Sequence, residues 1–465
     1  MEDIARDWLS ELVERCLVQV GTSGSIGTIK TCRIHDLVRD MCFLKANEES
    51  FLHINNSSQE NEGANPFTSS TAAKAAELGK IRRLAIYLDK KADKLVSSRD
   101  ETNGHVRSLL FFGLEELVPK SKKVLSPLKD FKMLRVLKVE SLYKVEVELP
   151  SEIGNMVHLR FLSVRSSNIR TFPPSLGNLV CLQTLDFRVW TVAMVIPNVV
   201  MKMKQLRHLY LPVSYIANGN LQLSTLGHLQ TLYNLSIEYC DLKDVGRLTN
   251  LKKMRIRVSS SLQNLEEILK STGSTLNRIR SLIVDNNMNS GEEQAMQIVS
   301  SCRGIYKLAW AGPIAELPKE LHNYPNLTKL QLWRCGLKED QMGILEKLPN
   351  LTTLCLRYED FDEKTKILVF SKGGFPSLEV LYVGGMDQIT ELRVEEGAMP
   401  RLCRLEIEYC SGLTTVPDGL RYLNNLRELT IRGMPRELHR RIEEDGEDFY
   451  KIQHVPSLVI GEPLD

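Results

Sequence analysis

Residues 327–337 read Leu-Thr-Lys-Leu-Gln-Leu-Trp-Arg-Cys-Gly-Leu, placing leucine at 327, 330, 332 and 337 and Cys335 between the last two. Side chains alternate along an extended chain. Leu330 and Leu332 therefore share one face of a short strand, and the residues between and beside them face the other way. The cysteine slot suits a small polar or thiol side chain that sits inside a turn and satisfies loop backbone groups.

The same line of apolar residues returns from Ile81, Val106, Leu134, Leu159, Leu182, Leu206 and Leu232. It continues from Leu251, Ile279, Ile305, Leu351, Leu378, Leu402 and Leu426. The mean spacing is about 25 residues, the period of a leucine-rich repeat. One such unit cannot bury its apolar face, but stacked neighbours can. The expected fold is α/β: about 15 units forming a leucine-rich-repeat solenoid, with a curved parallel sheet and a mixed helix/loop convex side. Pro150, Pro173, Pro197, Pro318 and Pro417 punctuate that convex side, ending one strand's extension and starting a turn.

Composition narrows the function classes. The 465 residues carry 60 Lys and Arg against 58 Asp and Glu, a net charge of +2. That balance gives no electrostatic case for nucleic acid or an anionic membrane. No apolar run approaches the ~18 residues of a membrane span, and MVIPNVVM at 194–201 is cut by Pro197. The opening MEDIARDWL is acidic and helical, unlike a secretory signal. Ten cysteines include no C-x-x-C pair, which argues against zinc or a redox motif and for reduced thiols in a cytoplasmic protein. Asn234-Leu-Ser, Asn326-Leu-Thr and Asn350-Leu-Thr match the glycosylation pattern. Each arises from the spacing of the repeat, so a secreted protein is not implied.

The first 54 residues differ in character. Ile4, Trp8 and Leu12 mark one face of a helix over 3–15. LVQV, the turn GTSGSIG and TIKTCRI predict a hairpin, and HDLVRDMCFLKA carries a second helical stripe of Leu37, Met41 and Leu44. Asp36 stands where a carboxylate can cap that helix. Helix, hairpin and helix make the tail of a winged-helix subdomain. A DNA-reading role would need a basic recognition helix, and 35–46 offers His35, Arg39 and Lys45 against two Asp.

EDIARDWLSELVERCLVQV followed by CRIHDLVRDMCFLKA resembles the winged-helix segment of plant nucleotide-binding leucine-rich-repeat disease-resistance receptors, particularly the coiled-coil subclass. Ile34-His35-Asp36 matches that family's Met-His-Asp motif with Ile in place of Met, and GEDFYKIQHVPSL at 446–458 resembles its closing segment. The resemblance implies that His35 and Asp36 belong to an ADP/ATP site, the imidazole reaching the phosphates of ADP and holding the receptor off. It also implies an upstream coiled coil and nucleotide-binding core. This sequence has no G-x-x-x-x-G-K-[ST] phosphate loop; GTSGSIGT lacks the lysine and joins two strands. The chain alone is therefore expected to hold no nucleotide. It is expected to be a truncated receptor, a partial gene model or an expressed C-terminal part.

The predicted organisation is a partial winged helix over 1–54, a polar linker over 55–79, repeats over 80–432 and a cap over 433–465. The outward strand slots of the later repeats nominate a partner-binding face: Glu238, Tyr239, Trp333, Arg334, Arg357, Tyr358, Tyr382, Glu408, Tyr409 and Arg432. Aromatic and arginine side chains are the usual anchors of protein interfaces. Arg255 and Arg257 form a smaller basic spot suited to acidic groups of the nucleotide-binding region or to water. Nothing nominates a catalytic or metal-binding residue. The function this implies is an intracellular immune receptor whose repeats sense a pathogen effector or a guarded host protein. The alternative is a repeat scaffold such as a ubiquitin-ligase adaptor.

Overall fold

A computed structural model of the protein describes residues 2–23, 29–49, 51–56, 81–88, 105–113, 125, 128–129, 131–142, 146–169, 171–189, 194–217, 219–258, 269–270, 273, 275–286, 292–314, 316–317, 321, 324–358, 361 and 364–464. The chain forms two compact units, Met1–Asn234 with Tyr239–Leu251 and Leu235–Glu238 with Lys252–Asp465.

The first unit opens with the helix Glu2–Glu14, the antiparallel hairpin Val18–Ser23 and Ile29–Ile34, and the helix Asp36–Glu48. The described members of the apolar stripes that the sequence marks on these helices face outward: Trp8 is 67% exposed, Leu37 74% and Met41 69%. A parallel ribbon follows, built from His53–Asn56, Arg83–Leu88, Ser108–Gly113, Val136–Glu140, Phe161–Ser163, Thr184–Asp186, His208–Tyr210 and Thr231–Ser236. Register aligns Leu84, Leu109, Leu137, Leu162, Leu185, Leu209 and Leu232 as one buried column. The return segments carry the expected prolines, apart from Pro318, which lies outside the described residues. Pro150, Pro173 and Pro197 each cap a 3-10 turn, Ser151–Asn155, Pro174–Asn178 and Asn198–Lys202.

The second unit repeats the scheme with Lys253–Arg257, Ser281–Asp285, Lys307–Ala311, Lys329–Trp333, Thr353–Arg357, Val380–Gly384, Arg404–Glu408, Glu428–Arg432 and Ser457–Ile460. Two buried columns run through it, Leu330–Leu354–Leu381–Leu405–Leu429 and Leu332–Leu356–Val383–Ile407–Ile431. Thr328 and Thr352 hydroxyls donate to the carbonyls of Tyr306 and Thr328, and the Asn350 amide to that of Pro325. The glycosylation-like pattern thus comes from residues that tie neighbouring repeats together. All ten cysteines are free, and burial pushes the Cys240 and Cys302 thiols up to about 12 and Cys410 to about 11. Cys240, Cys335 and Cys410, in the repeat's cysteine slot, are all buried.

Two boundaries and one repeat register differ from the sequence expectation. His53–Asn56 is a strand paired in parallel with Arg83–Leu88, so the ribbon begins across the predicted 54/55 boundary. Most of the predicted linker, 57–79, lies outside the described residues. At the other end, Ser457–Ile460 in the predicted cap adds one more parallel strand, with Leu429 beside Leu458. Near 232 the register shifts by three. Leu232 pairs with Leu209, the second leucine of its repeat, so Leu229 is the first. Asn234 then takes φ +63°, a left-handed conformation asparagine tolerates, and its Nδ2 donates to the Leu211 carbonyl at 2.7 Å.

An ion cluster closes the array. Lys451 Nζ lies 2.8 Å from Asp448 and also reaches Asp418 and the Val416 carbonyl. Arg441 Nε donates to Asp448 at 2.9 Å, and the Asp448 side chain is only 2% exposed. Burial pushes the Asp448 carboxyl up, but the hydrogen bonds from Arg441 and Lys451 outweigh it and hold the group below its usual range. A depressed folded pKa stabilises above the unfolded value near ~4, and that stability is lost as pH falls through the folded value. Asp448→Asn should cost about 2 kcal/mol at neutral pH. Hydrogen exchange of 436–460 should show the deficit shrinking as pH drops below ~4. A pH-independent deficit would contradict the ionic account.

Candidate functional site

In the second unit the outward side chains form columns set by register. The central slot holds Arg255, Ile283, Ala309, Gln331, Cys355, Tyr382, Glu406 and Thr430. The slot two residues on holds Arg257, Asp285, Ala311, Trp333, Arg357, Gly384, Glu408 and Arg432. Neighbouring members of a column stand about 4.8 Å apart, close enough for direct contact between repeats.

Alternation alone would send the next residue inward. Instead, Arg334, Tyr358, Gly385, Tyr409 and Gly433 take φ of +57°, +55°, +66°, +53° and +55°. This left-handed step follows the strand in each of these repeats and turns two consecutive residues to the outside. Tyr358 is 53% exposed and Tyr409 57%. Each ring lies over the glycine of the next repeat. A methyl built on Gly385 would sit 2.9 Å from Tyr358 Cδ1, and one on Gly433 would overlap Tyr409 Cδ1 and Cε1. The glycines supply both the left-handed turn and the flat seat.

Between these rings the polar groups are held by one another. The Arg357 guanidinium lies 3.8 Å from the centroid of the Tyr382 ring. Tyr382 Oη donates to Glu408 Oε2 at 2.7 Å, and Arg432 Nη1 lies 3.5 Å from Glu408 Oε1. Burial and the neighbouring Glu408 carboxylate raise the Tyr382 phenol well above its ordinary value, so it remains a donor. Arg357, Tyr382, Glu408 and Arg432 are thus presented as a fixed set.

The structure brings together Trp333, Arg334, Arg357, Tyr358, Tyr382, Glu408, Tyr409 and Arg432 along adjacent strands. Glu238 and Tyr239 do not occupy strand slots. Those two lie on the 3-10 turn Ile237–Tyr239, and the Tyr239 ring packs 5.5 Å from Tyr215, because the register slip at Asn234 moves them off the strand slots. Arg255 pairs with the buried Asp285 at 3.3 Å, so the expected basic spot is partly neutralised. His35 is exposed and its carbonyl accepts the Arg39 N–H at 2.8 Å, which makes it the capping position of its helix. Asp36 is instead the first helical residue, with its carboxylate 3.2 Å from Arg39.

Sequence reasoning missed the outward clusters of the first unit. Tyr87 stacks on Phe112 at 5.3 Å, while Arg188 lies over Tyr210, which packs on Tyr233. Their position in the same outward slots was the available signal. Among the described residues no group of His, Cys, Asp or Glu is arranged to hold a metal ion. No described helix is long and apolar enough to cross a membrane.

Gly433→Ala should lower stability by about 1 kcal/mol or more, the cost of a left-handed alanine. It should also unseat Tyr409, measured as faster nitration of that tyrosine by mass spectrometry. An unchanged nitration rate would show that the ring does not depend on its glycine seat.

Comparison with known proteins agrees with this architecture. The family model described as a leucine-rich repeat region matches residues 105–449, and that of the disease resistance protein winged helix domain matches 1–42. The chain is 34% identical to the probable disease resistance RPP8-like protein 2 of Arabidopsis thaliana and 33% to disease resistance protein RPP8 of the same plant. Each alignment covers 98% of this chain and 49% of the relative, so the chain spans about half the length of the curated relatives it matches. A leucine-rich-repeat protein of Leptospira interrogans shares the fold with a TM-score of 0.50 at 17% identity, over 84% of this chain and 98% of that one. Repeat frame, winged-helix tail and full-chain similarity together place this chain in the plant nucleotide-binding leucine-rich-repeat disease-resistance family, where it corresponds to the winged-helix end and the repeats.

Proposed function

We propose that the chain is the sensing part of an intracellular immune receptor. Its second ribbon binds a pathogen effector or a guarded host protein, and its repeats restrain a nucleotide-dependent switch until that partner arrives. Release of the switch leads to the defence response and hypersensitive cell death. The observation that carries this reading is the preorganised cluster of Trp333, Arg357, Tyr358, Tyr382, Glu408 and Tyr409 on neighbouring strands. Such a surface has the aromatic and arginine content of an interface core.

The switch follows from differential affinity. A partner must prefer the released state by about 5.5 kcal/mol to move a 1:99 population to 99:1. The winged-helix end supports the same reading. Its exposed Trp8, Leu37 and Met41 form the surface by which it packs on the nucleotide-binding core of the intact receptor. In that setting the exposed imidazole of His35 donates to the phosphates of bound ADP, with Asp36 beside it.

Two measurements test the proposal. A partner captured by the chain from infected tissue should bind at least about tenfold more weakly to Trp333→Ala and to Tyr358→Ala, each a loss of ~1.4 kcal/mol or more. Full retention by both variants would remove the ribbon face from recognition. Calorimetric titration of the chain with ADP should give no saturable heat, because the phosphate loop's amides and lysine are not in this sequence. Tight ADP binding would show that the winged-helix end holds nucleotide by itself.

A further inference from the structure

The second unit has a groove of about 560 Å³ that the outward slots do not contribute to. One wall is the turn Glu339–Gln341 leading into the helix Met342–Leu345. The floor is the outward face of a separate two-stranded parallel sheet, Ile367–Phe370 paired with Glu391–Val394. In that sheet Leu368 and Phe370 point into the core, which leaves Ile367 and Val369 half-buried on the groove side. Met342 completes an apolar floor, and Glu339, Asp340 and Glu346 stand along it.

The walls are fixed from below. The buried Gln341 accepts the Leu317 N–H at 2.8 Å and so anchors the turn. Glu346 accepts the Ser371 N–H at 2.5 Å, which ties the helix end to the strand end. Gly343 leaves the wall open: a methyl built there meets nothing within 4 Å. Three carboxylates border the groove, and among the described residues that line it none is Lys, Arg or His; Arg393, beside Val369 on the outward face of the paired strand, is held by Glu391 at 2.8 Å.

We propose that this groove is a second docking site for an extended protein segment carrying Lys or Arg beside aliphatic side chains. The aliphatic groups cover Met342, Ile367 and Val369. The cations meet Glu339 and Asp340, which are exposed, with Glu346 contributing field from its fixed position. An acidic segment would face the like charge of Glu339, Asp340 and Glu346 along one wall, and an uncharged polar one would leave the floor wet. The site stands apart from the ribbon face and does not depend on the function assigned to it.

Fluorescence anisotropy of a labelled peptide of alternating lysine and leucine, titrated with the full chain at low salt, tests the proposal. Alternating glutamate–leucine and lysine–serine peptides are the controls. The lysine–leucine peptide should bind at least about tenfold tighter than either control. Gly343→Trp, whose Cβ would meet nothing within 4 Å and whose ring would occupy the groove, and the double variant Glu339→Lys/Asp340→Lys should each weaken it about tenfold, while Trp333→Ala leaves it unchanged. Equal binding by wild type and Gly343→Trp, or no binding by wild type, would overturn the proposal. Self-association abolished by Gly343→Trp would also overturn it, by making a second copy the occupant.

Discussion

The parallel pairing of one repeat's strand with the next, with leucine beside leucine, is the constraint on which everything else in this chain rests. No single repeat has enough apolar surface to fold alone. Within each unit the stacked leucines are nearly all fully buried, so each core leucine has neighbours from two adjacent repeats. Replacing one with alanine would cost both transfer energy and a cavity, in the range of about 2–5 kcal/mol. Because inward leucines fix register, they also decide which outward residues meet. Arg357, Tyr382 and Glu408 are 25 and 26 positions apart in sequence and touch only because Leu354, Leu381 and Leu405 are aligned.

A second constraint works at the exit of each strand. The left-handed residue at 334, 358, 385, 409 and 433 breaks strict alternation and lets two neighbours in a row face out. Glycine fills this slot without cost, whereas Tyr358 and Tyr409 accept a strained backbone. Their rings recover contact by lying on Gly385 and Gly433. The repeat thus trades some local backbone energy for a broader aromatic surface, and the exposed tyrosines are held rather than free.

Much of this was legible in the sequence. Leu327, Leu330 and Leu332 announce a strand and a buried face, and the structure places Lys329–Trp333 there with Leu330 and Leu332 inward. The prolines at 150, 173, 197 and 417 announce turns that the structure forms. The slip near 232 was hidden because Leu229, Leu232 and Leu235 are spaced by threes, so two frames fit equally. The pairing of Leu232 with Leu209 and the left-handed Asn234 choose between them, and Glu238 and Tyr239 lose their assigned slots as a result. The last strand was obscured by Pro456, although Val455, Leu458 and Ile460 keep the repeat spacing. The groove beneath the ribbon was not legible at all. It depends on a helix and a small second sheet meeting at Glu346 and Ser371, a contact that no periodicity encodes.

In the function proposed above, recognition belongs to the outward face of the strands between Lys329 and Arg432, held rigid by the leucines behind them. Amide hydrogen exchange of the whole chain, compared with and without its captured effector or host protein, tests that most directly. The account predicts added protection in peptides spanning 353–358, 380–385 and 404–409, with 342–348 and 418–423 on the return segments unchanged. Protection confined to the return segments, with the strand peptides unaltered, would contradict it.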